Sequence, residues 1–210
     1  MQRRGALLVV DAQVDFCPGG ALPVPRCDQV IHALNRYLDL FKRRSAPVFA
    51  SRDWHPKQSK HFKENGGEWP AHCVQGTLGA EFHPALVLPS DTIVISKGMA
   101  SWDDGYSAMQ GVTENGTPFV MLLRHMELDR LYVGGLATDF CVRQTVLEAL
   151  KAGFEVTLLT DAVGGVDLRP GDSERAVAEM IHSGADVATL ASIGTAVAWD
   201  GAPQRQQGRG

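Results

Sequence analysis

Cys141 is the strongest candidate in this sequence for a chemically reactive residue, because of the segments that surround it. Residues 130–134 are predicted as a buried strand, 135–140 as a tight turn and 141–150 as an amphipathic helix. A thiol in the first turn of a helix lies near unpaired N–H groups and the positive end of the helix dipole, which favour the thiolate. The same N–H groups can hold the oxyanion that forms when a thiolate attacks a carbonyl. Cys141 is therefore predicted to be a nucleophile, with a small buried hydrophobe as the alternative.

The elements that must position Cys141 follow from alternating apolar runs and helical periodicities. Strands are predicted at 6–10, 47–51, 92–96, 130–134, 155–159 and 186–190, and helices at about 26–42, 118–126, 141–150 and 174–183. This alternation predicts an α/β fold, a doubly wound and mostly parallel sheet with helices on both faces. We expect one domain over residues 1–203 and a flexible polar tail over 204–210.

Reactive side chains fall at the ends of the first four predicted strands. Asp11 follows the first strand, Asp53 the second and Lys97 the third, while the fourth leads to Cys141. Ligands of open α/β sheets bind beyond the carboxyl ends of the strands. Each residue alone has an ordinary explanation, such as a turn cap or a solvated strand end. Four such residues at four strand ends favour a catalytic interpretation.

Histidines are concentrated in the long, weakly periodic segment 53–88. Asp53 and His55 are two residues apart, so in extended chain their side chains lie on one face. His61 and His72 follow within the same segment, and Cys73 is next to His72. Carboxylate oxygen and imidazole nitrogen suit a divalent transition metal such as Zn²⁺, Fe²⁺ or Mn²⁺. The Cys73 thiol is interpreted as packed, with a thiolate ligand as the alternative. A metal site would give this segment a reason to be ordered.

Composition and charge exclude several classes of function. The chain has 210 residues, 44% of them hydrophobic and 21% charged, which is ordinary for one globular domain. A net charge of −4 argues against nucleic acid and anionic membranes as partners. Apolar runs are too short for a membrane span, and residues 7–10 are too short for a signal peptide. We therefore expect a cytoplasmic location and four cysteines present as thiols. The oligomeric state is left open, with a homo-oligomer as one option.

The candidate residues and their surroundings resemble the nicotinamidases, also called pyrazinamidases, within the isochorismatase-like cysteine hydrolases. The resemblance covers residues 8–190 and rests on the motifs Val10-Asp11-Ala12-Gln13-Val14-Asp15-Phe16, Asp53-Trp54-His55-Pro56, Trp69-Pro70-Ala71-His72-Cys73-Val74-Gln75-Gly76-Thr77, Lys97-Gly98, Tyr106-Ser107-Ala108 and Gly135-Leu136-Ala137-Thr138-Asp139-Phe140-Cys141-Val142. The Asp, Lys and Cys set marks the superfamily. The Asp-x-His and Trp-Pro-x-His-Cys motifs are more specific, because they mark the metal-containing amidases that act on nicotinamide.

The resemblance implies a catalytic role for each strand-end residue. Asp11 would be the general base, Lys97 the cation that steadies developing charge, and Cys141 the nucleophile. Lys97 would also lower the pKa of the thiol and keep the Asp11 carboxylate ionised. The bond Leu136–Ala137 is expected to be a cis peptide, and the N–H groups of Ala137 and Cys141 to form the oxyanion hole.

The resemblance also implies a metal centre and a slot for a flat ring. Asp53, His55 and His72 would hold one divalent ion, Zn²⁺ first and Fe²⁺ or Mn²⁺ as alternatives, with His61 ranked below them as a further ligand. Three aromatic side chains would bind the ring: Phe16, Trp69 and Tyr106. The chain departs from many relatives at Asp103-Asp104-Gly105, and Phe140 is a position that could tune substrate choice.

The function implied is hydrolysis of nicotinamide to nicotinate and ammonia through a cysteine thioester, in NAD salvage, with pyrazinamide as a further substrate. The partner is thus a small molecule, not nucleic acid or membrane. One alternative is another amidase or hydrolase of the superfamily with a different small amide. A second is a metallohydrolase in which Cys141 is structural. A third is a non-catalytic metal- or pyridine-binding protein, which would not need a nucleophile.

Overall fold

The computed structural model describes residues 4–195, which contain one six-stranded parallel sheet. Its strands are β1 (Gly5–Val10), β2 (Val48–Asp53), β3 (Ile93–Lys97), β4 (Arg130–Leu136), β5 (Glu155–Gly164) and β6 (Asp186–Ala188). The spatial order is β3-β2-β1-β4-β5-β6. The order reverses direction between β1 and β4, as it does at the switch point of doubly wound folds. The predicted fold class is confirmed.

Helices cover both faces of this sheet, and β1 is therefore buried on both sides. The helices are α1 (Cys27–Arg43), α2 (Phe119–His125), α3 (Arg143–Lys151), α4 (Asp172–His182) and α5 (Leu190–Thr195). Leu7 and Val9 pack into the core that contains α1, whereas Leu8 and Val10 pack into the opposite core with α2, α3 and α4. This alternation is the period-two pattern of a strand. No helix within residues 4–195 has both the length and the apolar character needed to cross a membrane.

The structure differs from the predicted elements where the chain approaches Cys141. Residues Thr138–Val142 form a π-helical turn, and regular α3 begins at Arg143 instead of residue 141. The N–H of Val142 donates to the carbonyl of Ala137 at 3.0 Å, five residues back, so this turn contains one more residue than an α-helical turn. π-Turns inside helices are frequent at functional sites.

The C-terminal third shows two further differences. β5 continues to Gly164, five residues past the predicted end, and its pairing with β4 contains a register shift between Val133 and Gly135. β6 ends at Ala188, and the short helix α5 follows it. The predicted tail over 204–210 and the domain boundary at 203 lie outside the described residues.

The expectation of four free thiols was wrong for one pair. Cys17 and Cys27 form a disulfide with a Cα–Cα distance of 5.3 Å, while Cys73 and Cys141 are free and buried. The turn after residue 17 returns the chain to the first residue of α1, which places both sulfurs in the same core. The expectation rested on the cellular compartment, which cannot reveal that two cysteines meet in space.

Candidate active site

Lys97 occupies the centre of a cluster built from the ends of β1, β2 and β3. Asp53 and Lys97 are the last residues of β2 and β3 and face each other in the sheet register. Asp11 follows β1 with a positive φ of 47°. The Lys97 Nζ atom lies 2.7 Å from Asp11 Oδ2, 2.5 Å from Asp53 Oδ1 and 2.5 Å from the carbonyl of Gly105. Asp11, Asp53, Lys97 and Gly105 are all buried. The charges of the two carboxylates and the ammonium therefore interact with little solvent screening.

Cys141 reaches this cluster from the turn after β4. Its Sγ atom lies 3.5 Å from Lys97 Nζ. Sγ and one carboxylate oxygen each from Asp11 and Asp53 lie within 4.8 Å of one another. Cys141 is 7% exposed and borders the cavity described below. The structure thus brings together all four residues predicted at the strand ends.

The electrostatics of the cluster differ from the expectation that Lys97 lowers the pKa of the Cys141 thiol. Burial raises the pKa of Cys141 well above its ordinary value, and Asp11 and Asp53 add to this rise, so the nearby ammonium does not prevail. Burial also raises the pKa of Asp11 to about 6, despite the Lys97 ion pair. The thiol therefore needs a base, and Asp11 is a stronger base than an ordinary aspartate.

The other two charges of the cluster are held in place by each other. Burial acts to lower the pKa of Lys97, but Asp11 and Asp53 outweigh it and raise this pKa well above its usual value. Burial acts to raise the pKa of Asp53, but Lys97 and the neighbouring histidines hold it below the usual range. Lys97 stays an ammonium and Asp53 a carboxylate near neutral pH.

Ser51 belongs to this site and was missed from the sequence. Its hydroxyl donates to Asp11 Oδ1 at 2.7 Å, and its carbonyl accepts from the Asp11 N–H at 3.2 Å. The hydroxyl fixes one carboxylate oxygen and leaves Oδ2 toward Lys97. A signal was present, because Ser51 lies two residues before Asp53 on β2 and so shares its face of the sheet.

Three of the four histidines in the 53–88 segment, His55, His61 and His72, converge beside Asp53. One ring nitrogen each from His55, His61 and His72 lies within 4.8 Å of the others. Asp53 Oδ2 is 3.8 Å from His55 Nε2 and 4.0 Å from His72 Nε2. His61, which the sequence ranked below the other two, stacks on the ring of His55 with centroids 5.1 Å apart. All three imidazoles are buried.

The ring nitrogens of this histidine cluster are oriented as metal ligands usually are. The Nδ1 atoms of His55 and His72 lie 3.1 and 2.8 Å from the carbonyls of Gly98 and Pro70. The His61 Nδ1 lies 3.5 Å from Asp104 Oδ1, a contact that the sequence did not predict. Oxygen partners at Nδ1 leave Nε2 for a metal. The buried Nε2 of His55 has no hydrogen-bond partner among the described residues, as expected for a ligand position.

The protonation of the histidines also suits a metal. Burial lowers the pKa of His61 to about 4, and it lowers the pKa of His72 as well. Neutral imidazole is the form that binds metals. The Cys73 thiol is not part of this group, because its Sγ faces the carbonyl of Gly79 at 3.9 Å and burial raises its pKa.

A narrow cavity of about 30 Å³ connects the Cys141 thiol to His61 and His72. The predicted ring-binding side chains, Phe16, Trp69 and Tyr106, all border this cavity. Three residues that were not predicted to line it do so as well: Leu22, Asp104 and Val166. The indole N–H of Trp69 donates to the Tyr106 hydroxyl at 2.9 Å, and the Phe140 ring packs edge-on against Trp69. Phe16 also belongs to the apolar core, so it serves packing and the cavity wall together.

Ala137 borders the same cavity, and the bond Leu136–Ala137 is cis, as expected. Ala137 immediately precedes the π-helical turn, and Cys141 lies within it. Their proposed share in an oxyanion hole remains a proposal.

A thiol, a carboxylate and an ammonium group gathered at the carboxyl edge of a doubly wound sheet are the groups that cysteine-dependent hydrolases use. The Isochorismatase domain model matches residues 5–192 of the chain. The chain therefore belongs to the isochorismatase family.

Three relatives show which members of this family the chain is similar to. The nicotinamidase of Escherichia coli (strain K12) is 42% identical over 205 residues, covering 89% of this chain and 95% of the relative. The crystal structure of the pyrazinamidase of Pyrococcus horikoshii in complex with zinc is 46% identical and covers 89% of this chain and 99% of its own, with a TM-score of 0.81. The structure of PnC1 from L. infantum in complex with nicotinate is 32% identical and covers 91% and 96%, with a TM-score of 0.77.

Proposed function

We propose that this protein hydrolyses the carboxamide of nicotinamide to nicotinate and ammonia, and that it also accepts pyrazinamide. The observation that carries the proposal is the position of Lys97, whose ammonium contacts Asp11 and Asp53 and lies 3.5 Å from the Cys141 sulfur beside a cavity with aromatic walls. The nicotinamidase and pyrazinamidase relatives support the same substrate class.

The chemical steps follow from the groups in the cluster. Asp11 accepts the proton of the Cys141 thiol, and the thiolate attacks the carboxamide carbon. The N–H groups of Ala137 and Cys141 are proposed to bind the resulting oxyanion. Asp11 then returns the proton to the departing ammonia, which leaves a thioester on Cys141. Asp11 next takes a proton from water, and the oxygen attacks the thioester carbon. The C–S bond breaks, Asp11 gives the proton to the departing Cys141 sulfur, and nicotinic acid is released and ionises to nicotinate.

The donors at Asp53, His55, His61 and His72 fit one divalent metal ion, and we propose Zn²⁺ first. When bound, such an ion supplies a Lewis acid for the ring nitrogen and so orients the amide toward the sulfur. The zinc-bound pyrazinamidase supports this choice of metal. We also propose a cytoplasmic role in NAD salvage.

Chelation is expected to impair nicotinamide hydrolysis. Removal of the ion takes away the ring-orienting contact, so we expect kcat/KM to fall by about 10-fold or more because the amide is no longer held against the sulfur. Ammonia release would be measured before and after dialysis against a chelator, and again after zinc is added back. Full activity of the metal-free enzyme would remove the metal from the mechanism.

Activity is expected to fall as the pH is lowered through about 6. Asp11 is a base only when ionised, and burial raises its pKa to about 6, so protonation below that value stops the first step. The Ser51 hydroxyl stabilises the ionised form, so Ser51→Ala should move the acidic limb of kcat/KM to higher pH. Ser96→Ala, which removes a hydroxyl bonded to Arg52 instead, is the matched control. An acidic limb at the same pH in both variants and the parent would contradict this assignment.

Two assays separate the proposal from other hydrolases of the family and from the metallohydrolase alternative. Ammonia release from nicotinamide, pyrazinamide and a panel of small amides identifies the substrate class, and a strong preference for another amide would favour a different hydrolase of the family. Addition of hydroxylamine traps a thioester as a hydroxamate. Turnover without any trapped intermediate would favour the metallohydrolase in which Cys141 is structural.

A further inference from the structure

Gln13 is fully buried and binds the backbone of Asp53 on the side where β1 has already ended. Its Nε2 donates to the carbonyl of Asp53 and to that of Ala80, both at 2.8 Å. Its Oε1 accepts from the N–H of Asp53, also at 2.8 Å. Both N–H bonds of the amide nitrogen are used, and the opposite orientation of the amide would set N–H against N–H. The orientation is therefore fixed by its partners.

The Gln13 amide takes the place of a neighbouring strand. β1 pairs with β2 as far as Val9 and Ala50, and the N–H of Asp11 continues the ladder to Ser51. On the other side, Asp53 pairs with Lys97 of β3. A strand end with one open edge has free backbone groups. An amide side chain can donate to and accept from one residue in the same way as a backbone peptide group. An ionised carboxylate cannot donate, and a hydroxyl has a single O–H donor, one fewer than the two N–H donors that Gln13 uses.

We propose that Gln13 is a positioning residue that fixes the Asp53 carboxylate between the metal donors and the Lys97 ammonium. The Asp53 Oδ1 atom pairs with Lys97, while Oδ2 faces His55 and His72. A shift of the Asp53 backbone moves both contacts at once. Gln13 lies two residues after Asp11, so one short segment carries the general base and holds the carboxylate of the metal site. The inference rests on the proposed function for its catalytic part only.

The test compares Gln13→Met with Asn35→Leu. The Asn35 side-chain amide also binds the backbone through a donor and an acceptor, but outside the cluster around Lys97. It donates to the carbonyl of Ala85 at 2.7 Å and accepts from the N–H of Val87 at 2.8 Å. Both variants lose an amide that binds backbone groups. Zinc affinity, measured by competition with a chromophoric chelator, should fall about 10- to 100-fold in Gln13→Met and remain unchanged in Asn35→Leu. The kcat of nicotinamide hydrolysis at saturating zinc should fall only in Gln13→Met.

A milder variant keeps the test decisive if Gln13→Met does not fold. Gln13→Asn retains the amide but is one methylene shorter, so it cannot keep all three bonds. It should also weaken zinc binding. Zinc affinity equal to that of the parent in a folded Gln13 variant, or an equal loss in Asn35→Leu, would overturn the proposal. If the parent does not hydrolyse nicotinamide, the proposed function fails, whereas the zinc titration still tests Gln13.

Discussion

Cys141→Ala is expected to abolish nicotinamide hydrolysis, with a loss in kcat of about 10⁴-fold or more, because no other group can form the thioester. The variant keeps the histidine cluster, so zinc should remain bound at the parent's stoichiometry. The measurement is ammonia release, together with metal analysis of the purified variant. Turnover close to that of the parent would refute covalent catalysis by this sulfur.

Cys73→Ala is the matched control for the loss of a thiol. Cys73 is the other free cysteine of the described residues and is also buried, but its sulfur faces Gly79 and not the cluster around Lys97. We expect Cys73→Ala to keep most of the parent's turnover and to lose some stability from the small cavity left behind. Equal inactivation of both variants would mean that turnover reports folding rather than chemistry.

Asp11→Asn is expected to lower kcat by about 10³-fold, since the amide is similar in shape but cannot accept the thiol proton. The same change removes a negative charge that raises the pKa of Cys141. Alkylation of Cys141 by iodoacetamide at neutral pH should therefore continue, or become faster, while amide hydrolysis collapses. A parallel loss of alkylation and hydrolysis would indicate that Asp11 supports the structure of the site and is not its base.

Asp161→Asn provides a comparison for the loss of a carboxylate elsewhere. Asp161 accepts from the Tyr37 hydroxyl at 2.6 Å and from the N–H of Leu190, on β5 and away from the thiol. Its replacement should change stability modestly and leave kcat close to that of the parent. A mild effect of Asp11→Asn, similar to that of Asp161→Asn, would mean that another group serves as base.

Residues at strand ends were predictable because the geometry of a parallel sheet is regular. Once alternating strands and helices were identified, the carboxyl ends of β1, β2 and β3 had to share one edge, which brought Asp11, Asp53 and Lys97 together. The histidines needed a second source of information, since a loop has no period. Their assignment rested on their clustering in one segment with Asp53 and on motif resemblance, and the structure places one ring nitrogen of each within 4.8 Å of the others.

Features that depend on depth of burial were not predictable from residue types. The helix position of Cys141 and the nearby Lys97 both argued for a low thiol pKa, yet burial and two carboxylates raise it. A sequence shows which charges are present but not how much water each one loses. The π-helical turn that begins at Thr138 has the same limitation, because it depends on how the chain leaves β4.

Contacts between residues that are separated along the chain were the other features that the sequence did not predict. The disulfide of Cys17 with Cys27, the Ser51 hydroxyl on Asp11 and the Gln13 amide on Asp53 each depend on exact placement in space. Ser51 alone had a local signal, through its two-residue spacing from Asp53 on β2.

We expect the shared carboxylate of Asp53 to affect which cations the proposed metal site can discriminate. Because Oδ1 is committed to the Lys97 ammonium, Asp53 can offer a metal a single oxygen and cannot chelate it through both. The remaining donors nearby are imidazoles. Calcium and magnesium require six or more oxygen donors, largely from carboxylates, carbonyls and water, so a nitrogen-rich site with one anionic oxygen disfavours them. We therefore expect the Lys97 ammonium to help the proposed metal site to exclude calcium and magnesium.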